Sequence, residues 1–297
     1  MTTINNTMSA FKTTEKRKTY SLSSEESDWN TLKVCSVSIT ECILPKSIED
    51  LFRPLCIGTA QGKMQIGTKP FAQGSLRYAN YGKLFLIDSC VVDVVYKELI
   101  SADSKYSSLT AYRQHLEIHT IAQFLAHLFN QTLQKVIRNP IEIVYADADI
   151  VQRVDDETKI NQVERRLNQT IQKWNNNCGG VDFVDYSTVL QAFSHWTYHQ
   201  TAGRIMVVDL QGVKSATDNK YLLTDPAIHF DDIRRYREAR TNHGVKGMKE
   251  FLRTHVCSEV CHGLGLEKVK NEIDENVAKE LYKPSRIGTV LEEAEEY

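Results

Sequence analysis

The sequence predicts an α+β fold of two lobes with a cleft between them. Three observations lead there. From Gly67 to Leu99, short apolar runs alternate with glycine and turn residues, the pattern of strands joined by hairpins. Next, Ile118, Ile121, Leu125, Leu128, Phe129, Leu133 and Val136 recur at helical spacing, which marks one long amphipathic helix. Beyond it strands and helices mix, with polar residues where strands leave the core, an arrangement that suits a cleft between lobes.

In chain order, residues 1 to about 30 are rich in Thr, Ser, Lys and Glu and poor in large apolar side chains, and read as a disordered tail. Order is expected to begin between Ser47 and Phe52, giving a tail 1–46, one domain 47–275 and an acidic tail 276–297. Pro140 ends the long helix, and "IEIVYA" follows as a strand. "VERRLNQTIQKW" is mixed, and "NNNCGG" (Asn175 to Gly180) is a strong turn. "STVLQAFSHWTYHQTAG" reads as a helix ending near Gly203, and "RIMVVDLQG" as a buried strand with a polar exit. "GVKGMKEFLRTHVCSEVCHGLGL" reads as the last strong helix.

Composition narrows the function. The chain has 297 residues, 25% charged and 41% hydrophobic, with a net charge of −2. That balance carries no basic stripe for nucleic acid. The apolar stretches are too short to span a bilayer, and the N-terminus has no apolar signal segment, so no membrane partner is expected. Seven cysteines, mostly scattered, point to a reducing, cytoplasmic setting without a disulfide framework.

Two constellations carry chemistry. Cys257 and Cys261 stand at i, i+4, so on one regular helix both thiols share a face. His255 stands about 200° away and joins them only if the helix starts or bends there. A tetrahedral zinc site needs a fourth ligand, with His195, His199, His229 and His243 as candidates. The plain alternative is that the thiols pack as small hydrophobes. In the second constellation, Asp209 and Gln211 lie at i, i+2 where a strand exits, and Asp225 follows in a Thr-Asp-Pro turn. Their oxygens suit Mg²⁺, or one carboxylate suits proton acceptance. Asp at a strand end or before Pro is also ordinary turn chemistry. Gly74 and Arg77 in "KPFAQGSLR" and Lys97 ending "VVDVVYK" are candidate phosphate contacts, though a lysine at a strand end more often snorkels.

These fragments in this order resemble the alpha-type (atypical) protein kinases, from about Gly67 to Leu266. "KPFAQGSLRYA" is similar to the family's phosphate-covering strand pair, "VVYK" to the strand with its ATP lysine, and "IAQFLAHLFN" to the helix that follows. "VERRLNQTIQKWNNNCGGV" resembles the interlobe segment. "FSHWTYHQTAGRIMVVDLQG", "LTDPAIH" and "GVKGMKEFLRTHVCSEVCHGLGL" resemble the catalytic core strand, the metal loop and the closing zinc helix. The resemblance implies a two-lobed kinase fold with an ATP cleft. It implies an ATP- and Mg²⁺-dependent serine/threonine protein kinase acting on a protein substrate. It also implies a structural zinc on His195, His255, Cys257 and Cys261. Asp209 then matches the base, Gln211 and Asp225 the Mg²⁺ ligands, Lys97 and Arg77 the phosphate contacts, and Glu164 the residue beside the adenine. Asn242, Gly244 and Gly247 match a loop that presents substrate.

Three departures stand out. "VKSATDNKYLL" makes the segment between "DLQG" and "TDP" longer than in several family members. "RRYREARTNHGVKG" replaces earlier glycines of the substrate loop with charged residues. His115, with Glu117 near by, stands where the family often has an aspartate that fixes the nucleotide. An inactive, zinc-stabilised binding module is the alternative reading; the presence of Lys97, Asp209, Gln211 and Asp225 favours activity.

Overall fold

The computed structural model describes residues 17–86, 90–182 and 184–269. Residues 1–16 and the acidic tail 276–297 lie outside that description. The elements run β1 (Cys35–Cys42), β2 (Ile57–Ile66), β3 (Ala72–Gln73), β4 (Arg77–Phe85), β5 (Val91–Leu99), α1 (Ser104–Ser107), α2 (Leu109–Val136), β6 (Glu142–Tyr145), β7 (Ala148–Arg153) and β8 (Ile160–Arg165). They continue β9 (Gln172–Lys173), α3 (Thr188–Gln200), β10 (Ile205–Val208), β11 (Gln211–Lys214), β12 (Lys220–Thr224), β13 (Ala227–Phe230), α4 (Gly244–Thr254) and α5 (Glu259–Gly263).

The N-terminal lobe is a seven-stranded sheet in the order β2-β1-β7-β8-β5-β4-β3. Strand β2 also pairs with β4, so the sheet curls back on itself. Its inner face buries Val37, Ile39, Met64, Leu84, Val94, Tyr96, Val151 and Val163. The expectation of a tail to residue 46 is corrected here, because β1 pairs with both β2 and β7. Only Val37 and Ile39 of β1 are fully buried, among Ser and Thr. Two apolar residues gave too weak an alternation to outweigh a disorder-like composition, yet β-branched residues suit a pleated, half-buried strand.

Helix α2 spans 28 residues, capped by Ser108 Oγ accepting from Ala111 N at 3.2 Å. It ends before Asn139, in the left-handed region at φ 50°, and Pro140. Its Leu125, Phe129 and Leu133 pack with Phe193 and Trp196 of α3, with Phe129 edge-on to both rings at 5.3 and 5.4 Å. Burying such side chains stabilises the C-terminal lobe by about 1.5–3 kcal/mol each. A four-stranded sheet, β6-β12-β11-β9, and the pair β10-β13 complete that lobe. None of the described helices is long and apolar enough to cross a membrane.

Two expectations about local structure are corrected. The final helix is broken: α4 stops at Thr254, residues 255–258 are not helical, and α5 begins at Glu259. Cys257 therefore does not share a helix face with Cys261. Asp209 is not within a strand either; it forms a joint between β10 and β11 with φ 62°.

Candidate active site

The hairpin β11–β12 sets the site. Gln211 pairs with Thr224 at its open end, so Asp209, two residues before the pair, and Asp225, one residue after it, flank the same mouth. Gly212 makes this close pairing possible, because a Cβ there would stand 2.0 Å from Leu222 O. Asp209 and Asp225 both hold left-handed backbone, at φ 62° and 49°. Such conformations cost an L-residue roughly 1–2 kcal/mol. Strained non-glycine residues cluster where a side chain must be aimed.

From the opposite side, period-2 alternation aims one face of the N-terminal sheet at these aspartates. Lys97 on β5 lies opposite Gln162 on β8, and Glu164 lies opposite Val95. Lys97 Nζ stands 2.8 Å from Glu164 Oε1, 2.8 Å from Asp225 Oδ2 and 3.0 Å from Thr224 Oγ1, to which it donates. Thr224 Oγ1 also donates to Glu164. Arg77 Nη1 lies 3.0 Å from Asp225 Oδ1 and donates to Gln162 Oε1 at 2.6 Å. Burial works to raise the Asp225 carboxyl, but the Arg77 guanidinium and the Lys97 ammonium outweigh it and hold the group well below the usual carboxylate range. Asp209 goes the other way: burial raises its carboxyl, and Lys173 Nζ, 2.5 Å from Oδ1, offsets part of that. Gln211 Nε2 donates to Asp225 O at 3.1 Å and to Asp209 Oδ2 at 3.4 Å, which leaves its carbonyl oxygen as an oxygen ligand.

Together these groups floor a cleft of about 880 Å³ between the lobes, lined also by Gly74 and the β3–β4 turn. The sequence-derived set Arg77, Lys97, Asp209, Gln211 and Asp225 thus converges in one place. Glu164 also lines the cleft, and its carboxylate, 2% exposed, is held by Lys97, Thr224 and Gln162. Gly74 carries no steric need of its own, since a Cβ there would meet only Arg77 O at 3.7 Å. Sequence reasoning missed Thr224, Gln162, Lys173 and His119. Gln162 and Glu164 alternate with Val163 along β8, a signal that was available. His119 was not marked by any motif; its Nε2 meets Ala146 O at 2.6 Å and its Nδ1 lies 3.9 Å from Glu164.

A second cluster lies in the C-terminal lobe. His195 of α3, His255 and Cys257 of the helix break, and Cys261 of α5 each offer one ligand atom, all within 4.8 Å of one another. Cys257 Sγ lies 3.9 Å from His195 Nδ1, and Cys261 Sγ lies 3.5 Å from His255 Nε2. The break at 255–258 is what turns His255 onto the side of the thiols. Burial pushes the imidazoles down, to about 4 for His195 and about 3 for His255, so both are neutral at pH 7 as a metal ligand must be. Tetrahedral Zn²⁺ with bonds of about 2.0–2.3 Å wants two such nitrogens and two thiolates a few ångströms apart, and this donor set fits it.

With this geometry in hand, comparison with known proteins decides the family. The model of the Alpha-kinase family matches residues 72–261. The chain belongs to the alpha-kinase family. It is similar to alpha-protein kinase vwkA of Dictyostelium discoideum, 35% identical over 68% of this chain and 31% of that protein. The chain spans less than a third of the length of curated relatives such as this one. A solved alpha kinase from Entamoeba histolytica superimposes with a TM-score of 0.67 and 25% identity over 82% of this chain and 96% of the other. The alpha-kinase domain of myosin heavy chain kinase A in complex with ADP shares the fold at a TM-score of 0.63 and 24% identity, over 80% and 98% of the two chains. The fold is therefore that of an alpha-kinase catalytic domain.

The departures from the family pattern fall at identifiable places. The long segment after "DLQG" forms the far turn of the β11–β12 hairpin, closed by Ser215 N donating to Lys220 O at 2.8 Å, away from the mouth at Gln211 and Thr224. His115 is buried in α2 behind the cleft wall, where burial and then the Arg77 charge hold its imidazole well below its ordinary value. Among the substrate-loop residues, Asn242 Oδ1 accepts from Phe230 N and Gly244 N, and its Nδ2 donates to Asp232 O and Arg235 O, so its polar atoms are engaged by the loop's own frame. Gly247 gives His229 room, since a Cβ there would lie 2.5 Å from Nε2. His229 lies within β13, and its Nε2 meets Asn177 O at 2.9 Å.

Proposed function

We propose that this chain is an ATP-dependent protein kinase that transfers the γ-phosphoryl group to a serine or threonine hydroxyl of a protein. The observation that carries the reading is Lys97, a buried ammonium shared by Glu164, Thr224 and Asp225 at the floor of the interlobe cleft. Glu164 and Thr224 fix the ammonium from behind. Asp225 is the partner that a triphosphate replaces, since its side chain keeps 29% exposure whereas that of Glu164 keeps 2%. Arg77 gives up the same partner and gains the same ligand.

Asp225, freed of its cations, and the Gln211 carbonyl oxygen would hold Mg²⁺. When bound, the ion supplies charge neutralisation on the phosphate oxygens. Asp209, with the Lys173 ammonium beside it, accepts the proton of the attacking hydroxyl. The hydroxyl oxygen bonds to the γ-phosphorus, the bond to the ADP oxygen breaks, and ADP leaves. Positioning and electrostatics do most of the work in such a transfer. Zn²⁺ on His195, His255, Cys257 and Cys261 would be structural, joining α3 to the chain between α4 and α5. The scattered free thiols suit a cytoplasmic setting.

The test is phosphate incorporation into a basic protein acceptor with Mg²⁺ and ATP, against Asp209→Asn. We expect transfer by the wild type and a loss of about 10³-fold or more in the variant, the scale of removing a base together with its charge. Its melting temperature should not fall, because burial already disfavours a charge at that position. A folded, zinc-loaded wild type that transfers nothing would favour a nucleotide- or partner-holding module instead.

A further inference from the structure

Residues 17–33 cross the N-terminal lobe as an extended strap outside the groups described so far. At one end Lys18 N donates to Ile100 O at 2.8 Å, Lys18 Nζ meets Glu98 Oε1 at 2.8 Å, and Tyr20 packs edge-on against Tyr78 at 5.0 Å. Ile100 N in turn donates to Leu76 O at 2.9 Å, within the β3–β4 turn over the cleft. Further along, Ser23 N donates to Pro70 O at 2.9 Å, and Thr68 N donates to Ser27 Oγ at 3.1 Å. Gln65 Nε2 donates to Trp29 O and Leu32 O, both at 2.8 Å. The strap therefore grips both shoulders of the hairpin that overhangs the cleft.

Between these grips, Arg166 Nη1 donates to Glu26 Oε1 at 2.6 Å. Arg166 directly follows β8, where the chain leaves the N-terminal sheet, and it lines the cleft. Its guanidinium lies 4.2 Å over the Tyr81 ring, and Tyr81 stacks on Phe71 at 4.0 Å and 12°. Phe71 is the residue before β3. The guanidinium is thus restrained on two sides, by a ring and by a carboxylate, which suits its flat, delocalised charge. The bond from Arg166 is also the leading reason the Glu26 carboxyl sits below its ordinary value.

We propose that Glu26 is a positioning residue: through the column Arg166–Tyr81–Phe71 it sets the height of the β3–β4 hairpin over the cleft, and so the affinity for a nucleoside triphosphate. The inference rests on the ATP-dependent reading above. Glu26 touches no nucleotide and, with its side chain 41% exposed, its pairing with Arg166 adds little to global stability. Its effect is on the hairpin.

The experiment compares wild type and Glu26→Arg in the full chain, with two readouts. In nucleotide-free protein, hydrogen exchange at residues 71–76 should speed up while that of α2 and α3 stays unchanged. The Kd for a fluorescent ATP analogue, and the KM for ATP, should rise about three- to tenfold, the span of one exposed ion pair turned repulsive, with kcat changed less. Glu26→Gln should shift both readouts the same way by less. Unchanged exchange at 71–76, or an unchanged Kd beside a wild type that does bind nucleotide, overturns the proposal. A wild type that binds no nucleotide overturns the ATP reading and the affinity claim with it. Faster exchange in Glu26→Arg would in that case still establish the hold of the strap on the hairpin.

Discussion

The cleft and the Cys/His cluster solve opposite problems with similar materials. The cluster draws its four donors from α3 and one short stretch, 255–261, and burial keeps both imidazoles neutral. Four protein donors around one point leave no position for substrate, which is the arrangement of a permanent, structural ion. The cleft instead sets the Asp225 carboxylate, on strained backbone at φ 49°, between Arg77 and Lys97. Its charges are satisfied by one another, and the side chain of Asp225 keeps 29% exposure. Neutral donors held by burial favour permanence; paired charges with partial exposure favour exchange.

The sharpest way to break this comparison is to remove one donor from each region. Cys261→Ala, at a fully buried thiol, should abolish zinc retention and destabilise the protein by about 5 kcal/mol or more, because binding of a structural zinc is part of folding free energy. At about 2–4 °C per kcal/mol for a chain of this size, the melting temperature should drop by roughly 10 °C or more. Metal analysis and a thermal melt check both at once. Full zinc content at an unchanged melting temperature would show that the thiol is only packing.

Lys97→Ala is the matching cut in the cleft. It leaves Glu164, 2% exposed, with a buried charge and only neutral donors, Thr224 and Gln162, to satisfy it. Removing one partner of a buried pair costs about 3–5 kcal/mol, so stability should fall here too, by less than for Cys261→Ala, while zinc content stays whole. Nucleotide binding should be lost. Retained zinc with lost nucleotide would separate the two regions; coupled loss of both would show that they fold as one unit.

How much of this was legible beforehand depends on the kind of signal. Residues that carry chemistry in short motifs, Asp209, Gln211 and Asp225, could be read because the hairpin between them keeps its ends in register whatever its turn length. Lys97 and Arg77 could be read as candidates, but their pairing with Asp225 could not, since it joins two lobes. Thr224 and Lys173 gain their roles only when β12 and β9, on either side of β11, come beneath the N-terminal sheet. The helix break at 255–258 was hidden because the apolar pattern continues through it; the need to bring His255 beside the thiols prevails over helical periodicity. Residues 17–33 looked disordered because their stabilisation is mostly backbone hydrogen bonds and single ion pairs to distant strands, which composition does not record.

The smallest expected effect sharpens the comparison through pH. His115 and His119 stand behind the cleft, and His229 stands beneath α4; burial is the leading cause that holds all three below 6.5 in the fold. Below pH 6.5 the unfolded chain takes up protons at these sites more readily than the folded chain, so stability falls as pH drops through that value. Each histidine contributes up to about 1.4 kcal/mol per pH unit. Asp149, raised to about 6 by burial, works the other way and gains stability below pH 6, as do the raised Asp209 and Glu117 lower down. Asp225, depressed by Arg77 and Lys97 against its burial, keeps its contribution until pH falls below its unfolded value of 3.8 and is silent here. The buried histidines outnumber the one carboxyl raised to about 6, so stability should fall between pH 7 and 5.5. Thermal melts at the two pH values should show it, and His115→Gln should flatten the slope. Equal melting temperatures at pH 7 and 5.5 would mean that the carboxylates balance the histidines, so that the cleft wall, and not its floor alone, is tuned to stay neutral.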